Sequence, residues 1–243
     1  MGIYILCLTL AGCDNKLAFE YKSYQRKTSL PCKDNCPHIN VKIPVATNAP
    51  VVADSINKKI YMELKKIISF EEKQSTSTDY NKLLEDFINS YEKLQKQYPT
   101  DTFGWEGEIE GKVTHLSEDI LNIEIKYYTF TGGAHGYQGL RSLIFDPATG
   151  KIIPNEELFI DLERFKDFAE KKFRLKYKIP ENVSINDTGF LFDDETFQLP
   201  QNIFYTDKGL ILHYNTYEIA SYVDGPKELQ LTYDELKPYL LIK

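Results

Sequence analysis

The side chains best suited to metal binding or proton transfer are four histidines, at positions 38, 115, 135 and 213. A zinc-dependent deacetylase of the usual kind needs two histidines three residues apart, so that both reach one metal, and no two histidines here are that close. The sequence also contains no H-E-x-x-H helix, Walker loop or G-x-S-x-G elbow. The two carboxylates of a glycosidase could come from any of 36 acidic residues. We therefore predict no catalytic residue, no metal site and no cofactor from motifs.

One histidine lies in an unusual stretch, YYTFTGGAHGYQG. Gly132 and Gly133 suit a tight connection between two strands, because glycine adopts positive φ at little cost. That requirement does not explain His135. Its imidazole either fixes the loop, by donating to a backbone carbonyl or to Glu218, or contacts a ligand, since glycine-rich loops let partners approach closely. In the second case Tyr137 is the other side chain of the loop that would contact the ligand.

Tyrosine is abundant, with 17 residues against a single tryptophan. Aromatic rings on a sheet can stack on sugars or form a protein-binding surface, although strands favour tyrosine in any case. We predict structural roles for His115 and His213. The candidate residues for binding a ligand or partner are Gly132, Gly133, His135, Tyr137, Tyr217 and Glu218.

The first residues predict an export signal. An apolar run over residues 3–12 is too short to span a bilayer, which needs about 20 residues, and has the proportions of a signal h-region. It ends in LAGC, which resembles a bacterial lipobox. Residues 1–13 are thus predicted to be a lipoprotein signal, with lipid on Cys13 anchoring the mature chain to an envelope membrane, and 14–22 a tether. The alternative is a buried N-terminal strand.

Two further cysteines, Cys32 and Cys36, form an even pair in LPCKDNCPH. Outside the cytoplasm such a pair favours a disulfide. The alternative is a metal site completed by His38, but this supplies only three ligands and no second C-x-x-C motif exists. We therefore predict the Cys32–Cys36 disulfide.

Charge limits the partners. The formal net charge is −7, and residues 1–13 contribute none of it, so the mature chain stays acidic. Nucleic acid is disfavoured as a partner, because backbone phosphates select basic surfaces. Acidity also maintains solubility.

The order of predicted elements determines how these residues can be positioned. Apolar alternation predicts two early strands, and helical spacing then predicts two helices that begin near Pro50 and Asp79. From Trp105 the period changes to two, which predicts a meander of antiparallel strands with a turn in FDPATGK. A third helix, a hairpin, a strand pair and a short helix capped near Thr232 or Asp234 follow. The fold class is α+β: an N-terminal strand pair and two helices, then a mainly antiparallel sheet with a flanking helix.

These segments resemble the extracytoplasmic domain shared by RsiV-type anti-sigma factors and PdaC-type peptidoglycan deacetylases, which also occurs alone in bacterial lipoproteins. Ser221 and Val223 differ from the residues usual at these positions in the family, and both differences are small enough to affect only local packing. The resemblance divides the chain into a PdaC-like half, 23–114, and an RsiV-like domain, 115–243, which we expect to form one compact unit. Its motifs are Gly132-Gly133-Ala134-His135, Thr149-Gly150-Lys151 and Tyr217-Glu218-Ile219-Ala220.

The family implies a location and a class of function. In RsiV-type proteins the domain binds lysozyme, and in PdaC-type proteins it accompanies a separate catalytic domain. We therefore expect an envelope-anchored, non-catalytic binding module for a lysozyme-like protein or for wall glycan (peptidoglycan), periplasmic or surface-exposed. The alternative is an enzyme acting on peptidoglycan or another envelope glycan, with His135 and Glu218 as its polar pair.

Overall fold

A computed structural model describes residues 16–69, 79–99 and 104–241 of the chain. The predicted lipid attachment at Cys13 and the signal over 1–13 lie outside these residues. The elements follow the α+β order that the sequence predicts, except that the strand pair predicted before the last helix is a single strand preceded by turns. The strands are β1 (Ala18–Lys27), β2 (His38–Thr47), β3 (Glu106–Leu116), β4 (Leu121–Phe130), β5 (Tyr137–Phe145), β6 (Asn202–Thr206), β7 (Gly209–Tyr214) and β8 (Lys227–Thr232). The α-helices are α1 (Pro50–Ile68), α2 (Tyr80–Gln97), α3 (Leu162–Tyr177) and α4 (Tyr233–Leu236).

Strands β1 to β5 form one five-stranded sheet in sequence order. All neighbouring strands are antiparallel except β2 and β3, which are parallel and place His38 opposite Glu106. A parallel connection needs a long crossover, and α1 and α2 supply it. The strand pair and the meander that the sequence predicts separately therefore belong to a single mixed sheet.

One face of this sheet packs on the two crossover helices. Ile39, Val41 and Ile43 alternate along β2 with polar residues and are almost fully buried. They meet a helical stripe that includes Ile56 and Ile60, because residues spaced by three and four lie on one side of a helix. Burying these aliphatic side chains is the main favourable term for this half of the molecule.

The predicted tether over 14–22 is corrected by the structure. Strand β1 begins at Ala18, opposite Thr47, and pairs with β2 along its whole length. The segment is polar enough to resemble a linker and most of the strand is exposed, but Phe19 and Tyr24 pack against the core. A ten-residue edge strand with few buried side chains thus resembles a tether in the sequence.

The second half builds a smaller, antiparallel three-stranded sheet, β6–β7–β8, with α3 against it. Its core is aromatic. Phe173 is fully buried and its ring contacts those of Tyr177, Phe190, Phe192, Phe197 and Tyr214. The predicted cap of the last helix is confirmed, since Thr232 and Glu235 form a reciprocal capping box.

Buried asparagines join the two sheets. Asn215 Nδ2 donates to the carbonyl oxygen of Leu140 at 2.9 Å, and its Oδ1 accepts from the amide of the same residue at 2.8 Å. Asn202 accepts from the amide of Ser142 at 3.0 Å, and Asn122 accepts from the amide of Tyr205 at 2.8 Å. The exposed edge of β5 is thereby paired with side chains of the second sheet, which satisfies backbone groups that an edge strand leaves open.

The predicted division between residues 114 and 115 falls inside β3, so the five-stranded sheet continues across it. Across the three described ranges, no helix combines the length and apolarity needed to cross a bilayer.

Candidate functional site

The face of the five-stranded sheet opposite the helices carries an open groove of about 600 Å³. Polar side chains from all five strands line this sheet groove, including Gln25, Asn40, Lys42, Glu110, Tyr128 and Gln138. A second depression of about 360 Å³ shares Lys126 and Gln138 with it and reaches Asn215 beyond β7. The two together form a continuous polar surface from β1 to the second sheet.

Charges along this surface are paired across neighbouring strands. Lys42 Nζ lies 3.4 Å from Glu110, and Lys112 Nζ lies 2.9 Å from Glu124. Glu108 accepts from Asn40 Nδ2 at 2.7 Å. Three glutamates and three lysines, the third being Lys126, line the two depressions. The formal charge of the surface is therefore balanced, although the whole chain is acidic.

The glycine loop between β4 and β5 borders the groove. Gly132 and Gly133 adopt φ of 109° and 94°, which confirms the predicted reason for both glycines. Gly136 is buried, and a Cβ there would overlap the ring of Tyr128. Because Tyr128 also lines the groove, the loop is held against one end of it.

His135 belongs to an exposed aromatic cluster with Tyr217 and Tyr222. Its ring stacks on Tyr222 with centroids 4.0 Å apart, and its Nε2 lies 3.3 Å from the hydroxyl of Tyr217. Its Nδ1 lies 3.1 Å from the carbonyl oxygen of Gly136, one of the two structural contacts predicted for it. Tyr217 has a left-handed φ of 70°, and such strain in a non-glycine residue often marks a functional position.

The structure does not bring His135 and Glu218 together as a hydrogen-bonded pair. Glu218 instead accepts from the backbone amides of Asn215 at 2.8 Å and Gln201 at 3.1 Å. Both carboxylate oxygens of Glu218 thus accept hydrogen bonds from backbone amides. Glu218 therefore has a structural role, which the motif alone does not show.

Tyr137 lies on the other face of the sheet. It lines a depression of about 380 Å³ beside α1, together with Glu63 and Arg141, and its ring lies 5.9 Å from that of Tyr127. Burial raises the pKa of the Tyr127 hydroxyl, which keeps it neutral. Of the predicted loop side chains, Tyr137 therefore faces away from the groove, and His135 packs with Tyr217 and Tyr222 rather than lining it.

The remaining histidines have separate surroundings. His213 is buried with Nδ1 2.9 Å from Glu228, and the ring of His115 lies 5.6 Å from that of Tyr205. The predicted disulfide is present, with Cα atoms of Cys32 and Cys36 5.6 Å apart. It removes these cysteines from the alternative metal site.

His38 nevertheless has two carboxylate neighbours. One ligand atom from each of His38, Glu106 and Glu108 lies within 4.8 Å of the other two. These residues are about 70 positions apart in the sequence, and the parallel pairing of β2 with β3 brings them together. Sequence reasoning considered only the nearby cysteines and missed this cluster.

The protein has an α+β fold in which two sheets are joined. Its polar groove lies on the larger sheet, which the N-terminal half of the chain forms. Residues 31–138 match the family described as Deacetylase PdaC, and residues 156–234 match the Protein of unknown function (DUF3298) family. The chain thus carries a PdaC-type segment in its N-terminal half followed by a DUF3298 segment, as the motifs predicted.

Solved structures show the same fold. A DUF3298 family member from Bacteroides fragilis has a TM-score of 0.70 at 20% identity, covering 93% of this chain and 95% of its own. A DUF3298 family protein from Pseudomonas aeruginosa has a TM-score of 0.64 at 22% identity, covering 96% of this chain and 97% of its own. No curated protein sequence matches the chain.

Proposed function

We propose that this protein is a non-catalytic binding module of the bacterial envelope, anchored by lipid at Cys13, which holds wall glycan in the sheet groove. The observation that carries the proposal is the groove itself. An open polar surface crosses the sheet on the face opposite its helices, with side-chain amides, paired charges and the ring of Tyr128 along it. A saccharide needs such hydrogen-bonding groups for its hydroxyls and an aromatic face for its ring.

The charge distribution favours glycan over a basic protein as the groove's ligand. A net charge of −7 would accelerate the approach of a lysozyme-like protein. The groove, however, balances its glutamates with lysines, so its lining offers a cationic partner no excess of negative charge. A neutral, hydroxyl-rich polymer fits this lining better.

The side-chain contacts also favour binding over chemistry. Glu110 and Glu124 are each paired with a lysine, and Glu218 is held by backbone amides. A general acid or base must instead be within reach of a substrate proton. The His135–Glu218 pair that the enzymatic alternative requires is not formed.

Calorimetry with soluble peptidoglycan fragments tests the proposal. The mature chain without lipid should bind them, and Tyr128→Ala should weaken binding about tenfold, as loss of a stacking ring does. Gln138→Ala should weaken it less and leave thermal unfolding unchanged, which separates ligand contact from any loosening of the glycine loop. Tyr98→Ala is the matched control, because Tyr98 is exposed at the end of α2, away from the groove.

Other results would overturn the proposal. If the wild type binds no fragment, the groove is not a glycan site. If lysozyme binds instead, in a salt-sensitive manner that Tyr128→Ala does not change, the partner is a basic protein. Altered fragments after incubation would identify an enzyme.

A further inference from the structure

We propose that His38, Glu106 and Glu108 form a binding site for a divalent transition-metal cation, Zn²⁺ in the first instance. The site lies at the start of β2 and β3, where Glu106 is opposite His38 and Glu108 follows two residues later on the same face. One imidazole and two carboxylates are a donor set that suits zinc, whereas Mg²⁺ and Ca²⁺ prefer oxygen ligands alone.

The orientation of the imidazole is the main support. Nδ1 of His38 lies 3.0 Å from the carbonyl oxygen of Cys36. A carbonyl can only accept a hydrogen bond, so Nδ1 carries a hydrogen, and Nε2 points at the Glu108 carboxylate 3.1 Å away. Nε2 and a carboxylate oxygen of Glu108 thus face each other at a separation that two ligands of one cation can have. Metal-bound histidines characteristically donate their other N–H to a backbone carbonyl in this way.

The surrounding structure holds the ligands in place. The carbonyl that orients His38 belongs to Cys36, whose side chain is tied to Cys32 by the disulfide. The backbone amide of His38 donates to the carbonyl oxygen of Trp105 at 2.9 Å, and Asn40 donates to Glu108 at 2.7 Å. His38 and Glu108 thus have outer partners of the kind that hold metal ligands in place.

The distances allow one ion. Two atoms bound to the same zinc at about 2.0–2.2 Å lie at most about 4.4 Å apart, and the three ligand atoms already lie within 4.8 Å of one another. A small rotation of partly exposed side chains closes the difference. Because His38 and Glu108 remain 27% and 45% exposed, the ion would keep positions open to water. The proposal does not depend on glycan binding, since metal binding is measured by itself.

Titration with Zn²⁺ alone tests the site. The mature chain, treated with chelator and dialysed, should bind one Zn²⁺ in calorimetry and give a tetrahedral Co²⁺ absorption spectrum. His38→Gln should weaken Zn²⁺ binding by well over tenfold, since loss of an outer partner alone costs about 10- to 100-fold, and Glu106→Gln should also weaken it. Circular dichroism and thermal unfolding would confirm that the variants remain folded.

Two controls make the result specific. Glu110→Gln changes the next residue on the same face of β3, where the carboxylate pairs with Lys42, and His135→Gln changes an exposed histidine elsewhere. Both should bind Zn²⁺ like the wild type. The proposal is overturned if the folded wild type binds no Zn²⁺, or if His38→Gln binds it as tightly as the wild type does.

Discussion

The two sheets differ in how burial runs along their strands. In β2 the buried residues alternate with accessible ones, whereas β6 and the last half of β7 are buried almost continuously. Alternation marks a sheet with one accessible face, and continuous burial marks a sheet covered on both faces. The first sheet thus has an accessible face that β6 and β7 of the second sheet lack, although the strand β8 alternates as β2 does.

The hydrophobic cores beneath the two sheets also differ in composition. The first is mostly aliphatic, with many isoleucines that share the burial, while the second is concentrated in stacked and edge-to-face aromatic rings. Loss of one large ring leaves a larger cavity than loss of one aliphatic side chain. The second half should therefore depend more strongly on single residues.

The largest effect is expected for Phe173→Ala. Removing this ring leaves a cavity among five aromatic neighbours and should lower the free energy of unfolding by about 3–5 kcal/mol. Urea unfolding measures the change. Leu175→Ala on the same helix is the control, because Leu175 is 75% exposed, and it should change stability by less than about 0.5 kcal/mol. Equal effects of the two variants would contradict the view that this ring centres the core.

An intermediate effect is expected where the sheets meet. Asn215→Ala removes the hydrogen bonds that its side chain makes with the amide and the carbonyl of Leu140, although the carbonyl keeps a donor in Arg141 Nη1 at 3.2 Å. The loss should cost about 1–3 kcal/mol, the range for an unpaired buried polar group. Hydrogen exchange at the Leu140 amide should accelerate at the same time. Asn89→Ala, on the exposed side of α2, should change neither quantity. If Leu140 keeps its protection in Asn215→Ala, the asparagine does not join the sheets.

The smallest change in stability is expected for two glutamate–lysine pairs, one from each region, which we compare. A hydrogen bond from Lys172, followed by those from Thr232, lowers the pKa of Glu235 to about 2, below its ordinary value. The stabilisation that Glu235 provides is therefore complete when the pH is above the ordinary pKa of a glutamate, and it is lost as the pH falls towards 2. Glu235→Gln should cost about 1 kcal/mol at neutral pH, allowing for solvent screening, and the difference from wild type should vanish in acid.

The matched variant is Glu110→Gln on the open sheet face, where both partners of the pair are more than half exposed. It should change stability by less than about 0.5 kcal/mol at either pH. Thermal unfolding of both variants at neutral and acidic pH makes the comparison. A larger cost for Glu110→Gln would mean that the groove charges stabilise the fold, which would weaken their assignment to ligand binding.

Local features of the fold could be predicted from the sequence. The side chain of Asp79 caps α2, Pro50 starts α1, and Gly132 and Gly133 have the positive φ that the turn needs. Each of these depends on residues within one turn of chain, so a sequence pattern contains the necessary information.

Long-range pairings could not be predicted in the same way. No pattern near His38 indicates Glu106 or Glu108, because a parallel partner is chosen by tertiary packing rather than by a short turn. The segment after β7 shows a second limit. Tyr217 and Ile219 alternate as in a strand, but Glu218 accepts from the Asn215 amide and closes a turn there. A side chain competing for backbone hydrogen bonds overrides the periodicity.

The parallel pairing of β2 with β3 also has a consequence for folding kinetics. The meander β3–β4–β5 needs only short connections, but β2 cannot dock until the chain between Thr47 and Glu106 has closed a long loop. Contacts of high sequence separation form slowly, because closure entropy is lost before they contribute. We expect the N-terminal hairpin to join the sheet last, with the apolar side of β2 uncovered until then. Newly synthesised chains would aggregate most readily during that interval.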